Sequence, residues 1–510
     1  MSGTVSAAVS GTESRMPGAA RAGSHPPRVV ARETPGPARL AWLRERGMGA
    51  SVLVAAISSA FGVILLAATA YLSALLRADP YIGDSGTLSV VLAILGALLL
   101  GVAVYVAAIV TANTFATVVA GRTRRIALLR LIGSSARAQR AELARQGLVV
   151  GVLGAVMGLV GGTAVAAAGV GVAEAALGLE GIDFDLVRGE LLLPAAIVVL
   201  TTWAAAWAGS RRVLDVTPLQ ALGGSQERGY AEVSGRRGRH VAAVALMVAG
   251  AALLALGVVM GLVTPLGVIV AFVGGILSFT GLSIGSVLVM PPVLRLVGRA
   301  FGSGATARLA AENALRQPER SSRMAIGVVM GVTLVTMFAV ALETVERVLA
   351  VSAGGELPEE MTTIIDTFAA IMMGLVAVSA VIAAVGLVNL LTIGVVQRRR
   401  ELGLLRAVGL SNTQVRRMVL LEALHITMSA TLAGLVLGVV YGWAGAQSVL
   451  GSVQVDPDGT GSTFSLVWPA VPPGPVVAIV VATAVLTLVA AVVPTRLATR
   501  VSPVEALAID

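Results

Sequence analysis

Glu422 and His425 stand three residues apart inside an apolar run, a spacing that puts a carboxylate and an imidazole on one face of a helix. Such a pair could relay protons, since ionisable groups inside membrane spans are commonly functional. It lies only two or three turns from the charged end of its run, where Arg416 and Arg417 are available to the carboxylate. A structural or coupling role is therefore the stronger reading, with a relay as the alternative. His25 and His240 are the only other histidines, and three scattered imidazoles make no metal site.

Other chemistry is removed by what is missing. The 510 residues contain neither cysteine nor lysine, so all 37 basic residues are arginine. Thiolate catalysis, disulfides and cysteine-ligated metal centres are excluded. A nucleotide-binding P-loop needs its lysine on the phosphates, and a Schiff-base enzyme needs an amine. We expect no catalytic, cofactor-binding or metal-binding residues in these 510 positions.

The elements that must carry these residues are apolar helices. Hydrophobic residues make up 56% of the chain and charged residues 13%, and mean hydropathy is +0.89. A soluble domain of this size needs a larger charged shell. Ten hydrophobic runs lie near 50–76, 88–118, 147–173, 191–210, 241–262, 266–290, 324–342, 367–396, 418–445 and 473–495. A helix of about 20 residues crosses a ~30 Å hydrocarbon core. Strand-like alternation is scarce, so the expected fold is all-α: a polytopic membrane protein with ten transmembrane helices.

Charge placement orients them. The segments 122–145, 211–239, 295–323 and 398–417 are rich in arginine, whereas Asp79, Asp84, Glu180, Asp183, Asp185, Glu356, Glu359, Glu360, Asp456 and Asp458 fall in the alternate segments. All arginines but Arg77, Arg188 and Arg347 then lie on one side. By the positive-inside rule that side is cytoplasmic and holds both termini. The net charge of +9 and the pI near 11.0 thus arise without nucleic acid. Residues 1–48, rich in Ala, Gly, Pro, Ser and Arg and lacking periodicity, read as a disordered cytoplasmic tail. The alternate segments are short, the longest being 346–366 and 447–472.

Two arginine-rich segments match without gaps at an offset of 276 residues. The pairs include Asn113/Asn389, Arg122/Arg398, Arg124/Arg400, Leu128/Leu404, Leu129/Leu405, Arg130/Arg406, Gly133/Gly409, Ser135/Ser411 and Arg140/Arg416. Each half closes alike, Val216-Thr-Pro-Leu-Gln-Ala-Leu222 against Val501-Ser-Pro-Val-Glu-Ala-Leu507. We expect a duplicated four-helix unit, runs 1–4 and 7–10, with runs 5 and 6 inserted. The boundaries are 1–48 for the tail, 49–222 for the first repeat, 223–300 for the linker and inserted pair, and 301–510 for the second repeat. Duplication in membrane proteins commonly places a pathway or moving interface between the halves.

In each matched segment a basic, Leu-rich stretch reads as an interfacial helix stopped by Gly133 or Gly409. Ser411 with Gln414 forms a capping box for the next helix; the first half keeps Ser135 but has Ala138 in place of the glutamine. Such an elbow either docks on a partner outside the membrane or is a snorkelling anchor, and its duplication favours docking. Gly154, Gly158 and Gly162, and again Gly434, Gly438 and Gly442, form four-residue ladders that allow close backbone approach. Ordinary tight packing is favoured for them over a sliding or dimerising interface. Asn113 and Asn389 could hydrogen-bond between helices.

The pattern of Asn389 followed by Arg399-Arg-Glu-Leu-Gly-Leu-Leu-Arg-Ala-Val-Gly409 resembles the FtsX-like permease family, which includes MacB-like and LolE-like transporters. The first half departs from it at Arg125 and Ala127, where the second has Glu401 and Gly403. The resemblance implies the permease subunit of an ABC transporter in a bacterial inner membrane. ATP and Mg would be bound by a partner ATPase, in two copies for two elbows. Arg122, Arg124, Arg125, Leu128, Leu129, Arg130, Gly133, Arg398, Arg400, Glu401, Leu404, Leu405, Arg406 and Gly409 would form the coupling elements. Membrane lipid is the other expected partner, and a homodimer is compatible. The expected cargo is hydrophobic or amphipathic: lipid, lipopeptide, drug or antimicrobial peptide. A secondary transporter and a peptide-sensing signalling or scaffold protein are the competing readings.

Overall fold

The computed structural model describes residues 48–77, 128–177 except 130, 188–210, 237–299, 304–352 except 317, 399–452 and 466–500 except 467, with parts of 94–112 and residue 362. Among the described residues every regular element is helical. The helices are α1 (Met48–Arg77), α2 (Ala136–Leu177), α3 (Leu192–Gly209), α4 (Arg237–Gly261), α5 (Gly267–Ile284), α6 (Ser286–Gly298), α7 (Ala305–Arg316), α8 (Pro318–Ser352), α9 (Arg399–Ala407), α10 (Asn412–Leu450) and α11 (Pro473–Arg500). Within lipid the backbone must satisfy its own hydrogen bonds, and an apolar helix does so locally.

Seven of the described helices are long and apolar enough to cross a membrane, corresponding to runs 1, 3, 4, 5, 6, 7 and 9. The protein is therefore a multi-pass membrane protein. Run 10 appears as α11, whose apolar part is Pro473–Val489. Run 2 is described only in part, and run 8 lies outside the described residues, as does the tail. The sixth run, expected as one helix over 266–290, is instead two: α5 ends at Ile284, and α6 begins at Ser286 and carries Pro291 and Pro292. Two adjacent prolines withhold two backbone donors, so α6 leans on its neighbours, and Ser322 Oγ donates to the Ser286 carbonyl at 3.1 Å.

Helices outrun their apolar stretches. At 1.5 Å per residue the 42 residues of α2 span about 63 Å, twice the hydrocarbon thickness. Its first turns, with Arg137, Arg140, Glu142 and Arg145, stand outside the apolar part.

In lipid there is little hydrophobic drive between helices, so association depends on how closely backbones approach. The glycine ladder of α2 lies on α1: a Cβ at Gly158 would fall on the Ala56 carbonyl and 2.5 Å from Ser59 Cβ, and one at Gly162 would come 3.0 Å from Val63 Cβ. Ser59 Oγ donates across this contact to the Ala155 carbonyl at 3.2 Å. The ladder of α10 lies on α8 in the same way: Gly434 against Val332, Gly438 against Thr333 and Thr336, and Gly442 against Met337 and Val340. The ladders are offset by 280 residues and their partners by 277, whereas the elbows are offset by 276. The extra four residues in the α10 half amount to about one helical turn and leave each ladder facing its partner.

A second pair of glycines, Gly147 and Gly151, turns another face of α2 to Ala206, Thr202 and Val199 of α3. The hairpin α4–α5 carries glycines seven apart, Gly250 and Gly257 facing Gly267, Gly274 and Gly281. A Cβ at Gly274 would come 2.5 Å from the Leu254 nitrogen, and one at Gly250 would come 2.6 Å from Ser278 Cα. Tyr105, in the helical residues between 94 and 112, bonds to Thr280 Oγ1 at 2.9 Å and donates to the Ile276 carbonyl at 3.1 Å; Tyr441 of α10 bonds to Ser278 Oγ at 2.9 Å. Hydroxyls from both sides thus grip α5. Its Phe279 joins the buried cluster built from α8 and α10, with Val329, Val332, Ile426 and Ala430.

A leucine at Gly158 or Gly438 must separate two helix backbones and is expected to destabilise the protein by about 1–3 kcal/mol. Gly161 has open space where its Cβ would stand, so Gly161→Ala should leave stability unchanged or raise it. Thermal unfolding of the three variants in detergent checks both expectations.

Candidate coupling elbows

The two elbows begin with short amphipathic helices. In the second, Leu402 of α9 is buried against Val415, Met418 and Val419 of α10 and Ala310 of α7, with Leu405 and Leu410 packed at the margin. Leu404 and Val408 point away, 53% and 76% exposed. A period of 3.6 residues produces this division, because Leu402 and Leu405 share one face while Leu404 and Val408 share another.

Gly409 ends α9 with φ +111°. The Gly409 amide donates to the Arg406 carbonyl at 3.1 Å and the Leu410 amide to the Leu405 carbonyl at 3.0 Å. That is the Schellman pairing, which satisfies two terminal carbonyls and needs a left-handed residue at Gly409. Ser411 then caps α10: its Oγ accepts from the Gln414 amide at 3.2 Å, and its own amide donates to Gln414 Oε1 at 2.9 Å. Chain direction reverses within four residues, each with a defined hydrogen-bonding role.

The first elbow repeats the construction. Gly133 has φ +99°, and the Ser134 amide donates to the Leu129 carbonyl at 3.0 Å. Ser135 Oγ accepts from the Ala138 amide at 3.1 Å. With alanine at 138 the reciprocal bond is lost, and Gln139 Nε2 instead donates to Ser134 Oγ at 2.7 Å. Leu128 and Ile132 are 49% and 81% exposed, the same four-residue pair that Leu404 and Val408 form at the second elbow.

Several expected site residues sit elsewhere. Arg122, Arg124, Arg125, Arg130 and Arg398 lie outside the described residues, as do Asn113 and Asn389; Arg400 and Glu401 are described by backbone only, within α9. Arg406 is half-buried, and Leu405 turns inward while Leu404 turns out. Glu422 and His425 are both buried in α10. His425 Nε2 lies 2.7 Å from the Leu294 carbonyl and donates to it, tying α10 to the turn of α6 that follows its prolines. Sequence reasoning missed Leu402, Ile132 and Val408; the signal available was the helical period across the whole elbow, including the residue next to each glycine.

This geometry agrees with relationship. The profile of the family described as FtsX-like permease C-terminal matches residues 97–218 and 373–503. The chain belongs to the FtsX-like permease family. The two matches begin 276 residues apart, the offset of the elbows, and each spans an elbow and the long helix it starts. The chain is 30% identical over 141 residues to the probable export ATP-binding/permease protein MacB of Pseudomonas entomophila, covering 28% of this chain and 19% of that protein. It is 29% identical over 142 residues to the probable syringafactin export ATP-binding/permease protein SyfD of Pseudomonas syringae, again 28% and 19%. It is 36% identical over 73 residues to the ABC transporter permease YtrF of Bacillus subtilis, covering 14% and 16%. The chain spans about a fifth of the length of the curated relatives it matches. Members of this FtsX-like family are permease components of ABC transporters.

Gly409→Val places a branched side chain in the left-handed region and is expected to cost the elbow about 1–2 kcal/mol. Hydrogen exchange of the amides around Leu410 should then accelerate roughly five- to thirtyfold, with Ser411→Ala, which removes the cap, giving an effect at the lower end of that range.

Proposed function

We propose that this chain is the permease subunit of an ABC transporter in a bacterial inner membrane, driven by two copies of a separate cytosolic ATPase subunit, one at each elbow. The observation that carries this reading is the pair of elbows with one design: an inward-packed helix, a left-handed glycine, a serine cap, and two large apolar side chains left outside. Burying such a side chain is worth about 1.5–3 kcal/mol, and at a polar interface a partner protein supplies that burial. With no lysine in these 510 residues a P-loop cannot be built in them, so ATP and Mg belong to the partner. The architecture proposed is ten transmembrane helices in two equivalent four-helix units flanking the α4–α5 pair; the shared contact register of α1–α2 and α8–α10 supports it.

Force generated by ATPase closure would enter at α9 and its counterpart, and pass into α2 and α10 through their caps. The glycine ladders then define which helices move together, α2 with α1 and α10 with α8. Export or extraction of a hydrophobic or amphipathic molecule, such as a lipid, lipopeptide, drug or antimicrobial peptide, suits apolar walls and short outer segments.

Because the chain has no cysteine, Ile132→Cys and Val408→Cys each introduce a unique thiol. A membrane-impermeant maleimide is expected to label both in inverted vesicles and neither in right-side-out vesicles. Ile132→Asp with Val408→Asp should reduce stimulated hydrolysis by the ATPase subunit, sought among products of adjacent genes, at least about tenfold, a loss of roughly 1.4 kcal/mol in coupling, with the thermal transition unchanged. Labelling from the outer side, or full stimulation of the double variant, would end this reading.

A further inference from the structure

One charged group remains that neither the elbows nor the helix packing uses. Arg140 lies in the second turn of α2, and its guanidinium stacks 4.2 Å above the centroid of the Trp207 ring of α3. Its Nε and Nη2 are covered by protein and make no hydrogen bond. An arginine cannot escape this by losing its proton, so covered, unbonded N–H groups on a permanent charge call for an acceptor.

No such acceptor comes from its own helix. Glu142 is two residues along, a spacing that does not face Arg140, and it is already engaged by Arg145 Nη2 at 2.7 Å and by Gln146 Nε2 at 3.1 Å. Arg137, one turn earlier and exposed, adds positive charge rather than removing it. Stacking occupies one face of the guanidinium and leaves its edge, a planar fork of donors, to bind in the ring plane.

Position narrows the ligand. Arg140 precedes by seven residues Gly147, which opens the tight contact with α3 beside Ala206, next to Trp207 itself. Trp207 is 41% exposed and Trp203, one turn deeper, also faces outward. Charged turns of α2 meeting outward tryptophans mark the level where headgroups begin. Anions at that level are phosphates, and a guanidinium fork matches two phosphate oxygens. Arg416, the counterpart of Arg140 at the second elbow, is exposed, so the covered, stacked arrangement belongs to the first elbow.

We propose that Arg140, stacked on Trp207 and assisted by Arg137, binds a phosphate oxyanion at the elbow-side membrane interface, where an anionic phospholipid headgroup supplies it. The site is independent of what the elbows bind. The full chain is placed in nanodiscs of phosphatidylcholine containing acyl-brominated phosphatidylglycerol, or the same fraction of brominated phosphatidylcholine. Tryptophan emission should be quenched more by the brominated phosphatidylglycerol, and the excess should vanish in Arg140→Gln and in Trp207→Phe. Arg140→Lys, which keeps the charge and loses the fork, should retain only part of it. Native mass spectrometry should show one fewer retained phosphatidylglycerol in Arg140→Gln than in the parent, with thermal transitions matched. Inorganic phosphate, against chloride at equal ionic strength, separates the sources: an excess that survives identifies the lipid, and one that is competed away identifies a free phosphate at the same residues. Equal quenching by the two brominated lipids, or an unchanged excess and lipid count in Arg140→Gln, would overturn the proposal.

Discussion

A backbone-to-backbone contact without side chains between is the constraint from which the rest of this molecule follows. At Gly158 the space a Cβ would take is filled by the Ala56 carbonyl and Ser59 of α1, and at Gly438 by Thr333 and Thr336 of α8. Between helices in lipid, burial of apolar surface does not distinguish partner from solvent, so dispersion at short range and the occasional hydrogen bond must do so. Where the backbones touch, two helices move as one body. The α1–α2 and α8–α10 pairs are such bodies, and each begins α2 or α10 at an elbow.

The α4–α5 pair uses the same device with a different period. Glycines seven apart on both strands of the hairpin bring Leu254 and Ser278 backbone atoms to the opposing helix. Tyrosine hydroxyls then attach α5 on two sides, Tyr105 through Thr280 and Ile276 and Tyr441 through Ser278. An inserted hairpin held this way joins the 94–112 segment, which also touches α1 through Gly96 and Thr69, to α10. Hydrogen bonds of this kind contribute about 1 kcal/mol each in lipid, small beside the packing but specific in register.

The elbows differ in detail while sharing a plan. The second has a full capping box and a leucine anchor against α7 and α10. The first keeps the glycine and serine but replaces the reciprocal bond with one from Gln139 to Ser134. The first elbow also exposes Leu131 where the second has Ala407. Two equivalent handles have thus diverged in stiffness and in apolar surface, and the Arg140–Trp207 stack lies only beside the first.

Local order was legible in the residues: the apolar runs, the arginine-rich segments, the glycine and serine of each elbow and the four-residue ladders all depend on contacts within a turn or two. Run 6 was read as one helix because the break at Gly285 sits in an unbroken apolar stretch, and apolarity does not report a helix end. Tertiary structure alone decided that α2 shows one glycine pair to α3 and its ladder to α1, that Leu402 faces in while Leu404 and Val408 face out, and that Arg140 meets a ring 67 positions away. The physical reason is that lipid and protein interior are equally apolar. Periodicity therefore marks a face, while which helix that face meets is settled by shape and by hydrogen bonds between residues distant in the chain.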